Sequence, residues 1–287
     1  MKHEALKLPF RRSASTVNPV FRVAGALLLL ATAQPSDARA DTLRTGGTGS
    51  ASTMLWHIGK AFTAQTPGTS IEVVPALGST GAISAVVDGA LDFAVSARPL
   101  TPAEATKPLT QTIMARTVFG LASSYPEPGN IASSEVAGFF TSPTSSWPDG
   151  TRLRIILRPR SEFNTTLLAK AFPGMPGAIE QLRLRSEIPV ASTDQDNVRM
   201  AERLSGSLVA TTLAQMQTEK PNLRFLSIDG VAPTLENFER GVYPYHKNFY
   251  FILPARRTAS LERFVAFLRS PEGVKLLREA GSLPGQP

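Results

Sequence analysis

Beyond residue 40, the first apolar and polar residues follow the pattern of a strand, a polar turn and a helix. A strand-like run covers residues 42–45, and a turn rich in glycine and hydroxyl side chains follows at residues 46–52. The next apolar residues recur at helical spacing and predict an amphipathic helix; they are Met54, Leu55, Ile58, Ala61 and Phe62. The unpaired N–H groups and the positive dipole end of such a helix start attract anions. The turn is therefore either an anion site or an ordinary capped helix start.

The same pattern recurs twice directly afterwards. A second strand at residues 69–76 ends in the turn 77–81, and a helix is predicted over residues 82–88. A third strand at residues 91–95 ends in the turn 96–101, after which another helix is predicted. In a mostly parallel sheet the carboxyl ends of the strands lie at one edge, where ligands of open α/β proteins bind. The repetition favours a shared binding edge over unrelated helix caps.

A fourth unit of this kind carries two arginines. A buried strand is predicted at residues 152–157, and the polar turn after it contains Arg158 and Arg160. Arginine can bind an oxyanion through two charge-assisted hydrogen bonds. Arg158, at the strand end, is therefore the preferred oxyanion contact, whereas Arg160 and Arg98 could instead pair with Glu162 or with solvent.

The chain is predicted to pass twice between two α/β lobes that enclose a ligand cleft. The first passage is marked by turn residues at 124–130, and the return is marked by an aromatic-rich strand at 248–253. We therefore expect one lobe from residues 41–122 together with 247–287. The other lobe is expected to cover residues 123–246.

Residues 1–40 have the pattern of a secretory signal peptide. Basic residues precede a short apolar run at residues 23–31, and a small-x-small sequence at 38–40 precedes Asp41. The run is too short to span a membrane. We therefore predict a protein that lies free in the periplasm after cleavage, and the absence of cysteine argues against a lipid anchor at that site.

Charge and composition exclude several other classes of protein. The chain has 30 basic and 23 acidic residues, and removal of the six basic and two acidic residues of the leader leaves 24 and 21, a net of +3. This balance removes the main support for nucleic-acid binding. Without cysteine there is no disulfide scaffold or thiolate metal site, and His57 and His246 have no partner at metal-ligand spacing. We expect no metal, no cofactor and no nucleic-acid partner.

In order and spacing, these turns and several later segments resemble the periplasmic phosphate-binding proteins of ABC transporters, which have the type II periplasmic binding protein fold. The segments lie at residues 47–50, 78–81, 92–100, 130–140 with Trp147, 228–234, 241–244 and 270–273. The resemblance implies that the protein captures an oxyanion, with phosphate the first expectation. It also implies an ABC permease in the inner membrane as partner, and we expect a monomer.

The turn chemistry and this resemblance together give ten expected ligand-binding residues. They are Thr48, Gly49, Ser50, Ser79, Thr80, Ser96, Arg158, Ser161, Asn164 and Thr165. Residues 193–196 form an acidic helix start and are interpreted only as that.

The sequence departs from the family pattern at two places. Many relatives carry an acid or a serine at or next to Ala97, and an acid there accepts the ligand's proton and so rejects sulfate. The turn after Arg158 is also altered, and Glu162 beside an anion is unfavourable unless it points away or pairs with Arg160. We therefore expect phosphate to bind with weaker discrimination against sulfate or arsenate.

Two alternatives to an importer component stay open. The binding fold could serve as a sensor or an adhesin, or a serine in one of the turns could serve a secreted hydrolase. The sequence lacks a Gly-x-Ser-x-Gly elbow, and no His/Asp pair has a convincing triad context. A protein without enzymatic activity is therefore the expectation.

The cleavage position of the predicted signal peptide can be tested directly. Because a small-x-small sequence precedes Asp41, N-terminal sequencing of the exported protein is expected to begin at that residue. An uncleaved or lipid-modified N-terminus would contradict the prediction.

Overall fold

A computed structural model describes residues 41–285, so the predicted signal peptide at residues 1–40 lies outside the described part. The strands are β1 Asp41–Gly47, β2 Thr69–Val74, β3 Phe93–Ser96, β4 Leu109–Ser123, β5 Asn130–Ile131, β6 Arg154–Ile155, β7 Ser207–Thr212, β8 Arg224–Phe225, β9 Ser227–Ile228, β10 His246–Pro254 and β11 Ser282–Pro284. The helices are α1 Gly49–Gln65, α2 Gly78–Val87, α3 Val136–Thr141, α4 Phe163–Ala171, α5 Met175–Arg183, α6 Asp194–Arg203, α7 Leu213–Glu219, α8 Leu235–Glu239, α9 Ala259–Arg269 and α10 Pro271–Glu279. None of the helices between residues 41 and 285 combines the length and the apolar character that a membrane span requires.

The main sheet combines parallel and antiparallel pairs in the order β2-β1-β3-β10-β4-β7-β6. Strand β1 is parallel to both β2 and β3, with Leu43 opposite Ile71 and Gly46 opposite Ala94. Strand β10 is antiparallel to β3 and β4. The parallel pairs bring the carboxyl ends of β1, β2 and β3 to one edge, as the repeated strand and turn pattern predicts.

Strand β4 is long enough to belong to both halves of the sheet. Its residues 109–118 pair with β10, whereas residues 119–123 pair with β7 and β8. The hydrogen-bonded path therefore runs without interruption from one half to the other. A two-lobed arrangement does not require two separate sheets here, because one strand extends through both.

Each half of the sheet has its own hydrophobic core, and the fold is the two-lobed α/β fold that the sequence predicts. The first core is centred on Phe264, whose ring lies 5.2 Å from those of Phe62 and Phe93. We call the part around it the first lobe. The second core includes Trp147, whose ring stacks on Tyr125 at 4.8 Å, and the part around it is called the second lobe. The exact lobe boundaries, residues 41–122 with 247–287 and residues 123–246, stay a prediction.

Several elements differ from those predicted. Helix α2 begins at Gly78 rather than residue 82, because the positive φ of +64° at that glycine turns the chain directly into the helix. After residue 101 there is only a 3₁₀ turn at Glu104–Thr106, since Pro108 disfavours helical backbone before it. The strand expected at 152–157 is reduced to β6, and Leu157 instead forms an isolated bridge to Val190.

The packing of the first lobe gives a stability prediction. Phe264 is fully buried among aromatic rings, so Phe264→Ala is expected to lower the free energy of unfolding by about 3–5 kcal/mol. Urea unfolding measures the change. Leu184→Ala is the control, because Leu184 is 85% exposed and its truncation should change stability by less than about 0.5 kcal/mol. Equal effects of the two substitutions would contradict the proposed core.

Candidate ligand-binding site

Four helices begin at one cleft between the lobes, which has a volume of about 400 Å³. The lining includes the first residues of α1 and α2 from the first lobe, and of α4 and α6 from the second. The first N–H groups of a helix have no acceptor within the helix, and the helix dipole adds positive potential there. Four such ends around one space form an environment suited to an anion.

Seven of the ten expected ligand-binding residues line this cleft. They are Thr48, Gly49, Ser79, Thr80, Arg158, Ser161 and Asn164. The other three lie outside the lining. The Ser50 side chain is buried at the start of α1. The hydroxyl of Ser96 donates to the carbonyl of Arg98 at 2.6 Å, and that of Thr165 donates to the carbonyl of Pro159 at 2.9 Å. These two hydroxyls therefore stabilise their own turns.

Arg158 is a buried cation in the cleft wall, with an exposed fraction of only 6%. Its Nη1 donates to the carbonyl oxygen of Ala191, and its Nη2 lies 3.2 Å from a carboxylate oxygen of Glu162 and 3.6 Å from one of Asp194. Its buried Nε has no hydrogen-bond partner among the described residues. Two carboxylates thus balance the charge of the guanidinium.

The two other arginines considered from the sequence have different partners. Arg98 makes a two-fold contact with Glu104, at 2.7 and 2.8 Å, and these bonds lower the pKa of Glu104 to about 2. Arg160 is exposed and pairs with Glu180. Glu162 pairs with Arg158 rather than with either of them, so the carboxylate contacts the very arginine expected to bind the ligand.

Lys247 is a second cation at this site, and the sequence analysis missed it. It lies on β10 with 1% of its surface exposed, and its Nζ donates to Ser50 Oγ and Asn164 Oδ1, each at 2.8 Å. Burial lowers the pKa of Lys247, while the nearby carboxylate of Asp194 opposes that shift. A signal was available, because strand alternation puts residue 247 on the same buried face as Phe249.

Asp194 is the second missed residue, and its carboxylate lies among the donors expected to bind the ligand. It is 4% exposed, and its Oδ2 accepts the backbone N–H of Ser50 at 2.9 Å. Its Oδ1 accepts the side-chain amide of Asn164 at 2.8 Å. Gly49 permits this approach, because a Cβ there would lie 3.0 Å from the Cβ of Asp194.

The fixed charges at the cleft cancel. Arg158 and Lys247 are balanced by Asp194 and Glu162, and Arg98 is balanced by Glu104. The described residues contain no cluster of three or more His, Cys, Asp or Glu side chains that could hold a metal ion. The attraction for an anion therefore comes from the helix starts and from hydrogen-bond donors that face the cleft, more than from net charge.

A family model described as the PBP superfamily domain matches residues 32–272. This chain belongs to the PBP superfamily. A search of curated protein sequences gave no match. The predicted resemblance to periplasmic binding proteins is confirmed at the level of the superfamily and fold.

Three solved structures of other proteins have the same fold as this chain. A Clostridium perfringens protein with bound phosphate, assigned as the substrate-binding component of a phosphate ABC transporter, has a TM-score of 0.72 at 16% identity, covering 86% of this chain and 100% of its own. A phosphate-binding protein from Stenotrophomonas maltophilia has a TM-score of 0.63 at 14% identity, with 85% and 91% covered. An ABC-type phosphate transport receptor from Vibrio cholerae has a TM-score of 0.59 at 17% identity, with 85% and 100% covered.

The pairing of Glu104 with Arg98, which lines the cleft, predicts that the stability of the protein depends on pH. The pKa of Glu104 falls from an ordinary 4.5 to about 2 in the folded protein, so the pair stabilises the fold above the ordinary pKa and loses this effect as the pH falls through about 2. Glu104→Gln is therefore expected to destabilise the protein at pH 7, with a difference from wild type that shrinks between about pH 5 and pH 2.

Urea unfolding at several pH values measures that difference. Glu236→Gln is the matched control, because Glu236 is 79% exposed and lies 3.7 Å from Arg240. A difference for Glu104→Gln that stays constant across the acid range would contradict the assigned pairing.

Proposed function

We propose that the protein is a periplasmic solute-binding protein that captures an oxyanion, phosphate in the first instance, and delivers it to an ABC importer. The observation that carries the proposal is the convergence of four helix starts and the buried Arg158 on one cleft between two lobes. Such a site binds anionic oxygens through fixed N–H donors, and binding of this kind involves no chemical reaction of the ligand.

The relatives support phosphate as the ligand. The Clostridium perfringens structure holds bound phosphate, and the other two proteins are named for phosphate binding or transport. With the signal peptide removed, the protein would act as a monomer in the periplasm. Its lobes, residues 41–122 with 247–287 and residues 123–246, would close on the ligand as a hinge and present a new surface to the permease.

Donors from both lobes are proposed to contact the ligand. Arg158 lines the cleft and offers its guanidinium, and Ser161 is an exposed hydroxyl on the second lobe. On the first lobe, Ser79 Oγ accepts the N–H of Ala97 at 2.9 Å, which leaves its own proton to donate. Backbone N–H groups at the starts of α1, α2 and α4 complete this set.

Selectivity for phosphate over sulfate is proposed to be weak. Near neutral pH phosphate carries a proton and sulfate carries none, so only an acceptor in the cleft can distinguish them strongly. Ala97 offers none, and the two carboxylates of the lining are oriented by other donors, Glu162 by Arg158 and Asp194 by Ser50 and Asn164, so we propose that neither is directed at the ligand's proton. A thermal-shift series with phosphate, arsenate, sulfate, molybdate and small carboxylates tests this point.

Arg158 gives the sharpest test of the ligand site. Arg158→Ala is expected to weaken phosphate binding by about 2–5 kcal/mol, because the ligand would lose its charged partner in a desolvated cleft. Isothermal titration calorimetry measures the loss. Arg158→Lys keeps the charge without the forked geometry and should restore only part of the affinity.

Arg160→Ala is the matched control for this experiment, since Arg160 is exposed and pairs with Glu180. Unchanged affinity in Arg158→Ala would remove that residue from the site. If no oxyanion stabilises or binds the wild-type protein, the oxyanion function itself is wrong, and a sensor or adhesin role becomes the better proposal.

A further inference from the structure

Asp194 engages part of the donor set proposed for an oxyanion, namely the start of α1, the start of α4 and the guanidinium of Arg158. Its two carboxylate oxygens accept the Ser50 N–H at the start of α1 and the Asn164 amide at the start of α4, and its Oδ1 lies 3.6 Å from Arg158 Nη2. One N–H group, one amide and one guanidinium are thus arranged around a carboxylate supplied by the protein itself.

Two chains of hydrogen bonds connect Lys247 to Asp194, and in both the lysine is the first donor and the aspartate is the last acceptor. An ammonium can only donate and a carboxylate can only accept, so the groups between them must each accept on one side and donate on the other. One path passes through Asn164, with 2.8 Å on both sides. The other passes from Lys247 to Ser50 Oγ at 2.8 Å, then to Thr48 Oγ1 at 3.1 Å and to Asp194 Oδ2 at 3.4 Å.

This network joins the two lobes. Helix α1 packs into the core of the first lobe, whereas α6 packs on a cluster that includes Ile156 and Val209 on the other side of the cleft. Asp194 at the start of α6 contacts α1, and the neighbouring Gln195 donates to the carbonyl of Gly49 at 2.9 Å. Asp194 is therefore held from both sides of the cleft, by Ser50 of the first lobe and by Asn164 and Arg158 of its own lobe.

We propose that Asp194 is the affinity-determining residue of this site, because its carboxylate acts as an internal anion that a ligand must displace. The proposal rests on the oxyanion-binding function proposed above. Without Asp194 or another anion, the buried Ser50 N–H would lose its acceptor, and Arg158 would lose one of its two carboxylate neighbours and keep only Glu162. Ligand binding then replaces one anion with another. The observed binding free energy is therefore only the difference between the interaction of the ligand with the site and that of the Asp194 carboxylate.

The test is Asp194→Asn, which keeps the size of the side chain but removes its charge. Isothermal titration calorimetry with sodium phosphate and with sodium sulfate, at one pH and one ionic strength, is expected to give dissociation constants lower by about tenfold or more for both anions. Asp194→Ser serves as a second variant if the amide disturbs folding, which urea unfolding of each variant would reveal.

Asp196→Asn is the matched control. It makes the same change of charge in the same first turn of α6, but Asp196 does not line the cleft. Its dissociation constants should equal those of wild type, so a gain shared by both variants would reflect overall charge and would overturn the proposal.

The remaining outcomes separate this proposal from the proposed function. If wild type binds phosphate and Asp194→Asn binds it no tighter, Asp194 does not compete with the ligand and the proposal is wrong. If phosphate binding weakens in the variant, the carboxylate contacts the ligand and the proposal is also wrong. If only the variant binds an oxyanion, the internal anion is supported while the native function is not. If neither protein binds, both proposals fail.

Discussion

The cleft depends on the buried pair formed by Lys247 and Asp194. An ammonium and a carboxylate removed from water are each costly unless their charges and hydrogen bonds are satisfied. Here the pair is satisfied through Ser50, Thr48 and Asn164, which belong to the starts of helices in different lobes. Keeping this pair satisfied therefore ties together the starts of α1 and α4, which line the anion site.

Local sequence pattern predicted the parts of the fold that local physics decides. The apolar spacing in α1 and the strand and turn repeats reproduce the parallel edge formed by β1, β2 and β3. It failed where a single residue changes the backbone path, as at Gly78, or where a proline cuts a helix short, as at Pro108. Neither effect alters hydrophobic periodicity, so periodicity alone could not reveal it.

The same reasoning identified Arg158 but not Asp194 or Lys247, and the reason is physical. An arginine after a buried strand is conspicuous by its chemistry, whereas Asp194 is equally well explained as the acidic first turn of a helix. Its partner Ser50 is 144 residues away, and Lys247 is 197 residues from that same serine. Pairings of this range depend on the tertiary fold, so the sequence could place the site but not its electrostatic balance.

Strands β4 and β10 have a mechanical consequence for the molecule. They lie side by side as antiparallel partners, and Lys247 on β10 is paired with Thr117 on β4 next to the point where β4 passes into the second lobe. Hydrogen-bonded neighbours resist sliding past each other more than they resist twisting, and the register shift between Phe249 and Tyr250 adds local bend. A rotation of one lobe against the other about this connection would therefore carry the buried charge of Lys247 with it.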